Sequence, residues 1–349
     1  MGGLIRFLLG LVALAAIVIV GAYFVLKRAD IPWDQLEAKY ANAQSRFVDL
    51  PNGAHVHYRD QGNPEGRTLL LLHGFGASLE TWEPWVKRLG RKYRIVSVDL
   101  PGFGLTRPPP SGEAQRFPDF LDSFMNKLGL KAVAVAGNSM GGGAAWTFAL
   151  AHPEHVDALI LVDAGGWRGP QSADRPIIFK VLGNPLAARY IQDLDNTALI
   201  RQALQSAFID QAMVTDAMVQ RYVDLSRAPG RRAALIRGMR GGEDGEATKE
   251  ALGKIAAPTL ILWGDRDHLI NVVNARKFAD AIKGSYAIVY PNVGHVPMEE
   301  VADKSAADVD AWLTQTTLAG AALVDQSTPK PPIAHPNDAA KTGQRVAAP

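Results

Sequence analysis

The 349-residue sequence contains no cysteine. This absence excludes disulfides, thiolate metal ligands and a cysteine nucleophile together. An excess of one charge is also missing, because 37 lysines and arginines stand against 35 aspartates and glutamates, a formal net charge of +2. The basic residues are scattered, without the stripe of basic and aromatic residues that is typical of nucleic-acid binding. The sequence therefore predicts neither a reactive thiol nor a nucleic-acid partner.

Charged residues are absent from one long run near the N-terminus, residues 7–26, which reads FLLGLVALAAIVIVGAYFVL. A helix of this length is about 30 Å long, the thickness of the hydrocarbon core of a bilayer. A signal peptide is the competing interpretation, since Arg6 precedes the run. The run is longer than the apolar part of most signals, however, and Lys27 and Arg28 occupy the place of a small-residue cleavage site. We predict an uncleaved membrane anchor over residues 1–28. The flanking charges favour a cytoplasmic body, but large domains are translocated largely regardless of such charges, so the side of the membrane is left open.

Short apolar runs, rich in leucine and β-branched residues, alternate with helix-compatible segments through the body of the chain. Such nearly continuous apolar runs are typical of parallel strands covered by helices on both faces. Asn52-Gly53 separates two alternating runs and indicates a hairpin at the start of the sheet. From Gly166 to about Ala257 no strand-like run occurs, which predicts an inserted helical cap. The pattern predicts an α/β fold with a mostly parallel, doubly wound sheet.

These patterns divide the chain into six parts. The last part is rich in proline, alanine and polar residues and lacks an apolar period, which predicts disorder. The predicted parts are the anchor (1–28), a linker (29–44), the first part of the α/β core (45–165), the cap (166–257), the second part of the core (258–315) and a disordered tail (316–349).

A serine between glycines follows one of the predicted strands, in the sequence Gly137-Asn138-Ser139-Met140-Gly141, which fits G-x-S-x-G. This pattern forms a sharp strand-to-helix turn, in which only a very small residue fits two positions on either side of the serine. The helix that follows directs its free N–H groups and positive dipole end toward the serine. Ser139 is therefore the candidate nucleophile, and a purely structural turn is the competing interpretation.

A serine hydroxyl is a poor nucleophile until a base removes its proton, so a histidine is required. His295 follows the last predicted strand, in a loop flanked by glycine and proline, and is the preferred base. An acid has to orient this histidine and stabilise its protonated form. Asp265 and Asp267 both lie at the end of the preceding strand. We prefer Asp267, with Asp265 and, more remotely, Asp163 as the alternatives.

The oxyanion that develops on the carbonyl requires two backbone N–H donors. One is expected from Met140, the residue after the nucleophile. The other is expected from Phe75, in the loop that reads HGFGAS. His73 in this loop is expected to shape it rather than to titrate in the reaction. Chemistry of this kind needs no metal and no organic cofactor.

The motifs HGFGAS, DLPGFGLT, GNSMGG, WGDRD and GHVPMEE follow one another in this order. Over residues 45–313 the chain resembles the α/β-hydrolase fold superfamily. Within it, the chain is similar to the bacterial serine esterases, lipases and carbon–carbon bond hydrolases that carry helical caps. The resemblance implies structural roles for the aspartate and glycines of DLPGFG. It implies the following site: a triad of Ser139, Asp267 and His295 and an oxyanion hole from Phe75 and Met140.

The resemblance implies acyl transfer through serine, because dehalogenases and epoxide hydrolases of this fold carry an aspartate in place of Ser139. We predict a membrane-anchored serine hydrolase of carboxylic esters, carboxylesterase- or lipase-like, with a small-molecule or lipid-derived ester as substrate. The expected location is the cytoplasmic membrane of a bacterium. Two alternatives stay open: hydrolysis of a carbon–carbon bond in a diketone-type substrate, and a non-catalytic binding protein of the same fold. The acyl group, the alcohol group and the oligomeric state are left open.

Overall fold

Eight strands form one sheet among the residues that the computed structural model describes, 2–113, 115–167, 192–233 and 246–321. The strands are β1 (Ser45–Asp49), β2 (His55–Gly62), β3 (Thr68–Leu72), β4 (Arg94–Val98), β5 (Val133–Asn138), β6 (Val156–Val162), β7 (Thr259–Gly264) and β8 (Tyr286–Tyr290). Their order is β1-β2-β4-β3-β5-β6-β7-β8. β2 pairs antiparallel with both β1 and β4, and the other neighbours are parallel. This confirms the predicted α/β fold, with a hairpin at the start of a mostly parallel sheet.

Helices precede the sheet, connect its strands and end the described chain. In chain order they are α1 (Gly2–Leu26), α2 (Trp33–Tyr40), α3 (Glu83–Leu89), α4 (Phe117–Leu128), α5 (Met140–Ala151), α6 (Thr197–Ala207), α7 (Asp216–Ser226), α8 (Lys249–Leu252), α9 (Val273–Ala281), α10 (Pro297–Glu300) and α11 (Ala302–Ala321). Short 3-10 turns lie at Leu79–Trp82, Pro153–His155 and Gln211–Met213.

Each face of the sheet has its own apolar core, because successive side chains of a strand point to opposite faces. In β3, Leu70 and Leu72 belong to the core that α4, α5 and α9 cover. Leu69 and Leu71 belong to the core that α3 and α11 cover. Burial on both faces accounts for the continuous apolar runs of the sequence. It also leaves the carboxyl ends of the parallel strands as the edge where a ligand crevice forms in folds of this kind.

In the described part of the chain, the insertion between β6 and β7 contains helices and loops and adds no strand to the sheet. Its helices α6 and α7 contribute Leu204 and Val219 to the core on the α3 side of the sheet. The predicted bounds of the cap stay a prediction, because residues 168–191 and 234–245 lie outside the described chain.

Two helices lie partly or wholly in segments that were not predicted to be part of the folded core. α2 occupies part of the predicted linker, and α11 continues to Ala321, past the predicted start of the tail. The rest of the predicted tail, residues 322–349, lies outside the described residues.

α1 is a candidate membrane span. Its segment Gly3–Leu26 is apolar, unburied and long enough to cross a bilayer, a property that signal sequences share. Directly after it, the chain binds to the insertion: the Arg28 N–H donates to the Asp193 carbonyl (2.7 Å), and the Asp195 N–H donates to the Leu26 carbonyl (2.8 Å). Arg28 and Asp195 also form an ion pair at 3.0 Å. The end of α1 and the insertion are therefore joined.

Candidate active site

Ser139 lies between the end of β5 and the start of α5, with φ +55° and ψ −116°. A serine in this region of positive φ is strained, and such strain persists only where surrounding contacts hold it. Here the Ser139 N–H donates to the Val162 carbonyl (3.0 Å), and the Ser139 carbonyl accepts from the Gly165 N–H (2.8 Å). Contacts with the end of the neighbouring strand thus hold the serine in a sharp turn.

The glycines on either side of Ser139 meet backbone that leaves no room for a side chain. A Cβ on Gly137 would lie 2.0 Å from the carbonyl oxygen of Gly141. A Cβ on Gly141 would lie 2.2 Å from the carbonyl oxygen of Leu72. The steric reason that the sequence suggested for both glycines therefore agrees with the structure.

His295 and Asp267 form a buried pair at the carboxyl edge of the sheet. The His295 Nδ1–H donates to Asp267 Oδ2 at 2.7 Å. Asp267 Oδ1 accepts from the backbone N–H groups of Leu269 (2.7 Å) and Ile270 (2.9 Å), so both carboxylate oxygens are held. A carboxylate only accepts, which places the proton of a neutral His295 on Nδ1 and leaves Nε2 to take a proton.

The two alternative acids differ in their relation to His295. Asp265 makes no bond with it among the described residues, and the Asp265 N–H donates to the Tyr290 carbonyl (3.0 Å). Asp163 is fully buried close by: one ligand atom each of Asp163, Asp267 and His295 lies within 4.8 Å of the others. The structure thus brings together His295 and two acids, of which Asp267 holds the histidine.

The loop His73–Phe75 lies against the serine turn. A Cβ on Gly74 would lie 2.9 Å from Asn138 Oδ1 and 3.3 Å from the Ser139 Cβ. His73 donates from Nδ1 to the Gly74 carbonyl (2.8 Å) and accepts at Nε2 from the Leu100 N–H (3.0 Å). Burial lowers the pKa of His73. A neutral His73 therefore shapes this loop, as the sequence suggested.

The two expected oxyanion donors have no acceptor within the described part of the chain. Met140 is the first residue of α5, where backbone N–H groups lack a partner inside the helix. Neither its N–H nor that of Phe75 donates to another described backbone group. Ser139 Oγ and His295 Nε2, both described, are not hydrogen-bonded to each other; in the absence of substrate such bonds are often long.

Comparison with known proteins decides the family. The model of the alpha/beta hydrolase fold family matches residues 67–301, about two thirds of the chain. The chain belongs to this family. The hydrolase is 30% identical to a membrane phospholipase A described as a bacterial virulence factor, with a TM-score of 0.67 over 89% of the hydrolase and 99% of that structure.

Relatives of the hydrolase include both lipases and hydrolases named for 2-hydroxy-6-oxo dioic acids. Lipase 1 of Psychrobacter immobilis is 27% identical over 289 residues, 80% of the hydrolase and 86% of the lipase. The 2-hydroxy-6-oxononadienedioate/2-hydroxy-6-oxononatrienedioate hydrolase of Comamonas testosteroni is 28% identical over 276 residues, 74% of the hydrolase and 92% of that enzyme. The family is therefore shown, and the bond that the hydrolase cleaves is a separate question.

Asn138 is a site residue whose role sequence reasoning missed. Its buried side-chain amide donates to the carbonyl of His295 (3.0 Å) and to that of Val162 (3.2 Å). It thereby joins the serine turn to the loop of the histidine. A polar side chain at the end of an otherwise apolar strand was the available signal, but nothing in the sequence named its partner.

Glu300 holds the same histidine loop from the other side. Its Oε2 accepts from the Gly294 N–H at 2.5 Å, and its Oε1 accepts from the Ile209 N–H at 2.6 Å. The His295 N–H donates to the Ala207 carbonyl at 2.7 Å. Ala207 ends α6, so the insertion of the hydrolase directly supports the position of the histidine.

A second array of serine, histidine and aspartate joins the first hairpin to the turn after β4. Ser45 Oγ is 2.8 Å from His57 Nε2, and His57 Nδ1 is 2.6 Å from Asp99 Oδ2. Asp99 also accepts from the N–H groups of Leu79 (2.8 Å) and Leu105 (2.7 Å). Burial alone would raise the pKa of Asp99, but its bonds to His57 and the backbone lower it. This array joins β2 to the turn after β4, the structural role implied for the aspartate of DLPGFG.

Proposed function

We propose that the hydrolase cleaves carboxylic esters through an acyl-enzyme on Ser139. The observation that carries this proposal is the buried His295–Asp267 pair, joined through Asn138 to a strained serine turn. The same strand ends hold Phe75 and Met140, whose N–H groups are free to bind an oxyanion. The proposed nucleophile, base, acid and oxyanion donors thus all follow strands of the same sheet, which supports the proposal.

In the proposed reaction, His295 Nε2 takes the proton of Ser139 as Oγ forms a bond to the ester carbonyl carbon. The C=O electrons move to the oxygen, which the N–H groups of Phe75 and Met140 stabilise. The carbon–alcohol bond then breaks, and the alcohol leaves with the proton from His295. Water, deprotonated by the same histidine, attacks the acyl-enzyme and releases the carboxylic acid and Ser139.

Asp267 acts in this mechanism by orientation and charge. It holds the Nδ1–H of His295, so Nε2 is directed away from it, and its negative charge stabilises the imidazolium that forms after proton transfer. The two backbone N–H groups on Asp267 Oδ1 keep the carboxylate from rotating. The acid therefore needs no movement during the reaction.

An apolar or lipid-derived acyl chain is the proposed substrate class. Two similarities support it: that to Lipase 1 and that to the membrane phospholipase A. The bonds between the chain after α1 and the insertion give a further argument. If α1 is an anchor, they hold the insertion, and with it the histidine loop, close to the membrane surface.

Hydrolysis of p-nitrophenyl esters of increasing acyl length, and of phosphatidylcholine vesicles, tests this function. The full chain in detergent is compared with Ser139→Ala, and we expect turnover that rises with acyl length and disappears in the variant. Turnover confined to the shortest esters would contradict the lipid-derived substrate. Turnover that survives in Ser139→Ala would contradict the serine mechanism.

Cleavage of a carbon–carbon bond is the second candidate, because the relative from Comamonas testosteroni is named for a 2-hydroxy-6-oxo substrate, which is the enol form of a diketone. The same serine, histidine and aspartate would act on a diketone-type substrate. Activity on such a compound, with none on simple esters, would reverse the order of the two proposals. A non-catalytic protein of this fold would show neither activity and no labelling by a fluorophosphonate.

A further inference from the structure

We propose that Asp163 and Asp267 form a proton-sharing pair that keeps a single negative charge beside His295, with Asp163 able to replace Asp267 as the acid. This inference rests on the proposed function for its kinetic consequences. In the wild-type hydrolase Asp163 is a positioning residue, which acts on His295 through Asp267.

Topology brings the two acids together. Asp163 directly follows β6, and Asp267 lies three residues after β7, the neighbouring parallel strand. The Asp163 N–H continues the ladder by donating to the Leu262 carbonyl at 2.9 Å. A ligand atom of Asp163 lies within 4.8 Å of one on Asp267 and one on His295, and all three residues are buried. Asp267 therefore holds the imidazole by a hydrogen bond, and Asp163 is the second carboxylate beside it.

The hydrogen bonds of the pair are incomplete unless Asp163 carries a proton. Asp163 Oδ1 accepts from the Gly264 N–H at 3.0 Å. Its Oδ2 is buried and has no hydrogen-bond partner among the described residues. Asp267 accepts three hydrogen bonds, as an ionised carboxylate does, and therefore has no proton to donate to Asp163. A proton on Asp163 Oδ2 turns this orphan acceptor into a donor, with the Asp267 carboxylate as the acceptor at hand.

Electrostatics favours the same arrangement. Two carboxylates that share a buried site do not both ionise readily. Burial, followed by the charge of Asp267, raises the pKa of Asp163 well above its ordinary range. Glu300, the other acidic neighbour, raises it further, and Tyr290 in β8 is near enough to feel its charge. Neither Glu300 nor Tyr290 is a cation that would stabilise a second negative charge.

Replacement of either acid should therefore leave one charge in place. In Asp163→Asn the amide N–H replaces the carboxylic O–H, and asparagine tolerates the φ of +45° at this position. In Asp267→Asn the charge that adds to the effect of burial on the Asp163 pKa is gone, so we expect Asp163 to lose its proton at a lower pH than in the wild type and to become the acid for His295. Only the double variant lacks a charge beside the imidazole.

The experiment measures kcat on a soluble ester across the pH range for the full chain and for the three variants D163N, D267N and D163N/D267N. Loss of the triad acid lowers kcat about 10⁴-fold in a serine protease, and we expect this loss in the double variant. D267N should lose only about 10–100-fold, and its rate should fall at acid pH as Asp163 takes up a proton. D163N should lower kcat by about 2–10-fold, less than D267N, because the asparagine N–H replaces the carboxylic O–H as a weaker donor to the Asp267 carboxylate, which keeps its charge.

Two results would overturn the proposal. One is a D267N variant as inactive as the double variant, and the other is a D163N variant as impaired as D267N.

Infrared difference spectra at neutral pH give a readout that does not depend on activity: the carboxylic acid band of Asp163 should be present in the wild type and absent from D163N. An unchanged spectrum would refute the shared proton even if no ester were a substrate. If the band is lost in D163N but the wild type shows no ester turnover that depends on Ser139, the shared proton stands and only the proposed function is refuted.

Discussion

Asn138 provides the most detailed prediction, because its side chain connects the two halves of the proposed catalytic machinery. Asn138→Ala removes the donors to the carbonyls of His295 and Val162. Val162 keeps a donor, the Ser139 N–H at 3.0 Å. The His295 carbonyl loses the side-chain donor that ties it to the serine turn. The effect of the substitution should therefore fall on the histidine loop.

The size of the effect follows from these bonds. A hydrogen bond between neutral groups contributes about 1 kcal/mol net, and a buried carbonyl left without a donor costs about 1–3 kcal/mol. We expect Asn138→Ala to lower the free energy of unfolding by about 2–3 kcal/mol. A small misplacement of His295 costs up to about 10²-fold in rate, so kcat should fall about 10–100-fold with little change in KM.

Urea unfolding followed by circular dichroism measures the first effect, and ester hydrolysis measures the second. Ile95→Val is the control for destabilisation, since Ile95 is fully buried in β4, which β3 separates from the serine strand β5, and its truncation costs about 0.5–1.5 kcal/mol. The control should keep the wild-type kcat. An Asn138→Ala variant with wild-type kcat would refute the positioning role, whatever its stability.

Three further substitutions have distinct expected outcomes. Gly137→Ala should prevent folding or abolish fluorophosphonate labelling, because its Cβ would lie 2.0 Å from a carbonyl oxygen. Gly143→Ala is the control: the nearest atom to its Cβ is 3.6 Å away, so this variant should fold and label normally. Burial raises the pKa of Glu299 from 4.5 to about 7, so the folded state binds the Glu299 proton more tightly than the unfolded chain does. This preference contributes fully to the free energy of unfolding at acid pH, and the contribution is lost as the pH rises to about 7. Glu299→Gln should therefore gain about 1–3 kcal/mol relative to the wild type between pH 5 and pH 8 in urea titrations, and a constant difference would contradict this. Buried Arg231 donates to two carbonyls in the turn after β4, so Arg231→Met should cost about 1–3 kcal/mol in the same assay, with exposed Arg276→Met as a neutral control.

Local sterics and strand order made much of the fold predictable from the sequence. Gly137 and Gly141 had to be small because the serine turn is tight, and the apolar runs corresponded to strands buried on both faces. Ser139, Asp267 and His295 could be proposed because each follows a strand, and parallel strands end at one edge. Their catalytic roles stay a prediction.

Contacts between distant parts of the chain were not predictable in the same way. Asn138 bonds to a residue 157 positions away, and no periodic pattern records that distance. The closeness of Asp163 to Asp267 depends on the pairing of β6 with β7, across an insertion of unpredictable course. The bonds between Arg28 and the insertion depend on the same tertiary arrangement. Sequence patterns report local geometry, whereas these residues act through tertiary contacts.

Labelling by a fluorophosphonate, read by mass spectrometry of the intact chain and its peptides, tests the central claim most directly. A serine activated by His295 and Asp267 should form one covalent adduct, located on the peptide that contains Ser139. The adduct should be absent from Ser139→Ala, a variant that still unfolds cooperatively. A wild-type hydrolase that forms no adduct, or an adduct that persists in Ser139→Ala, would contradict the proposed nucleophile.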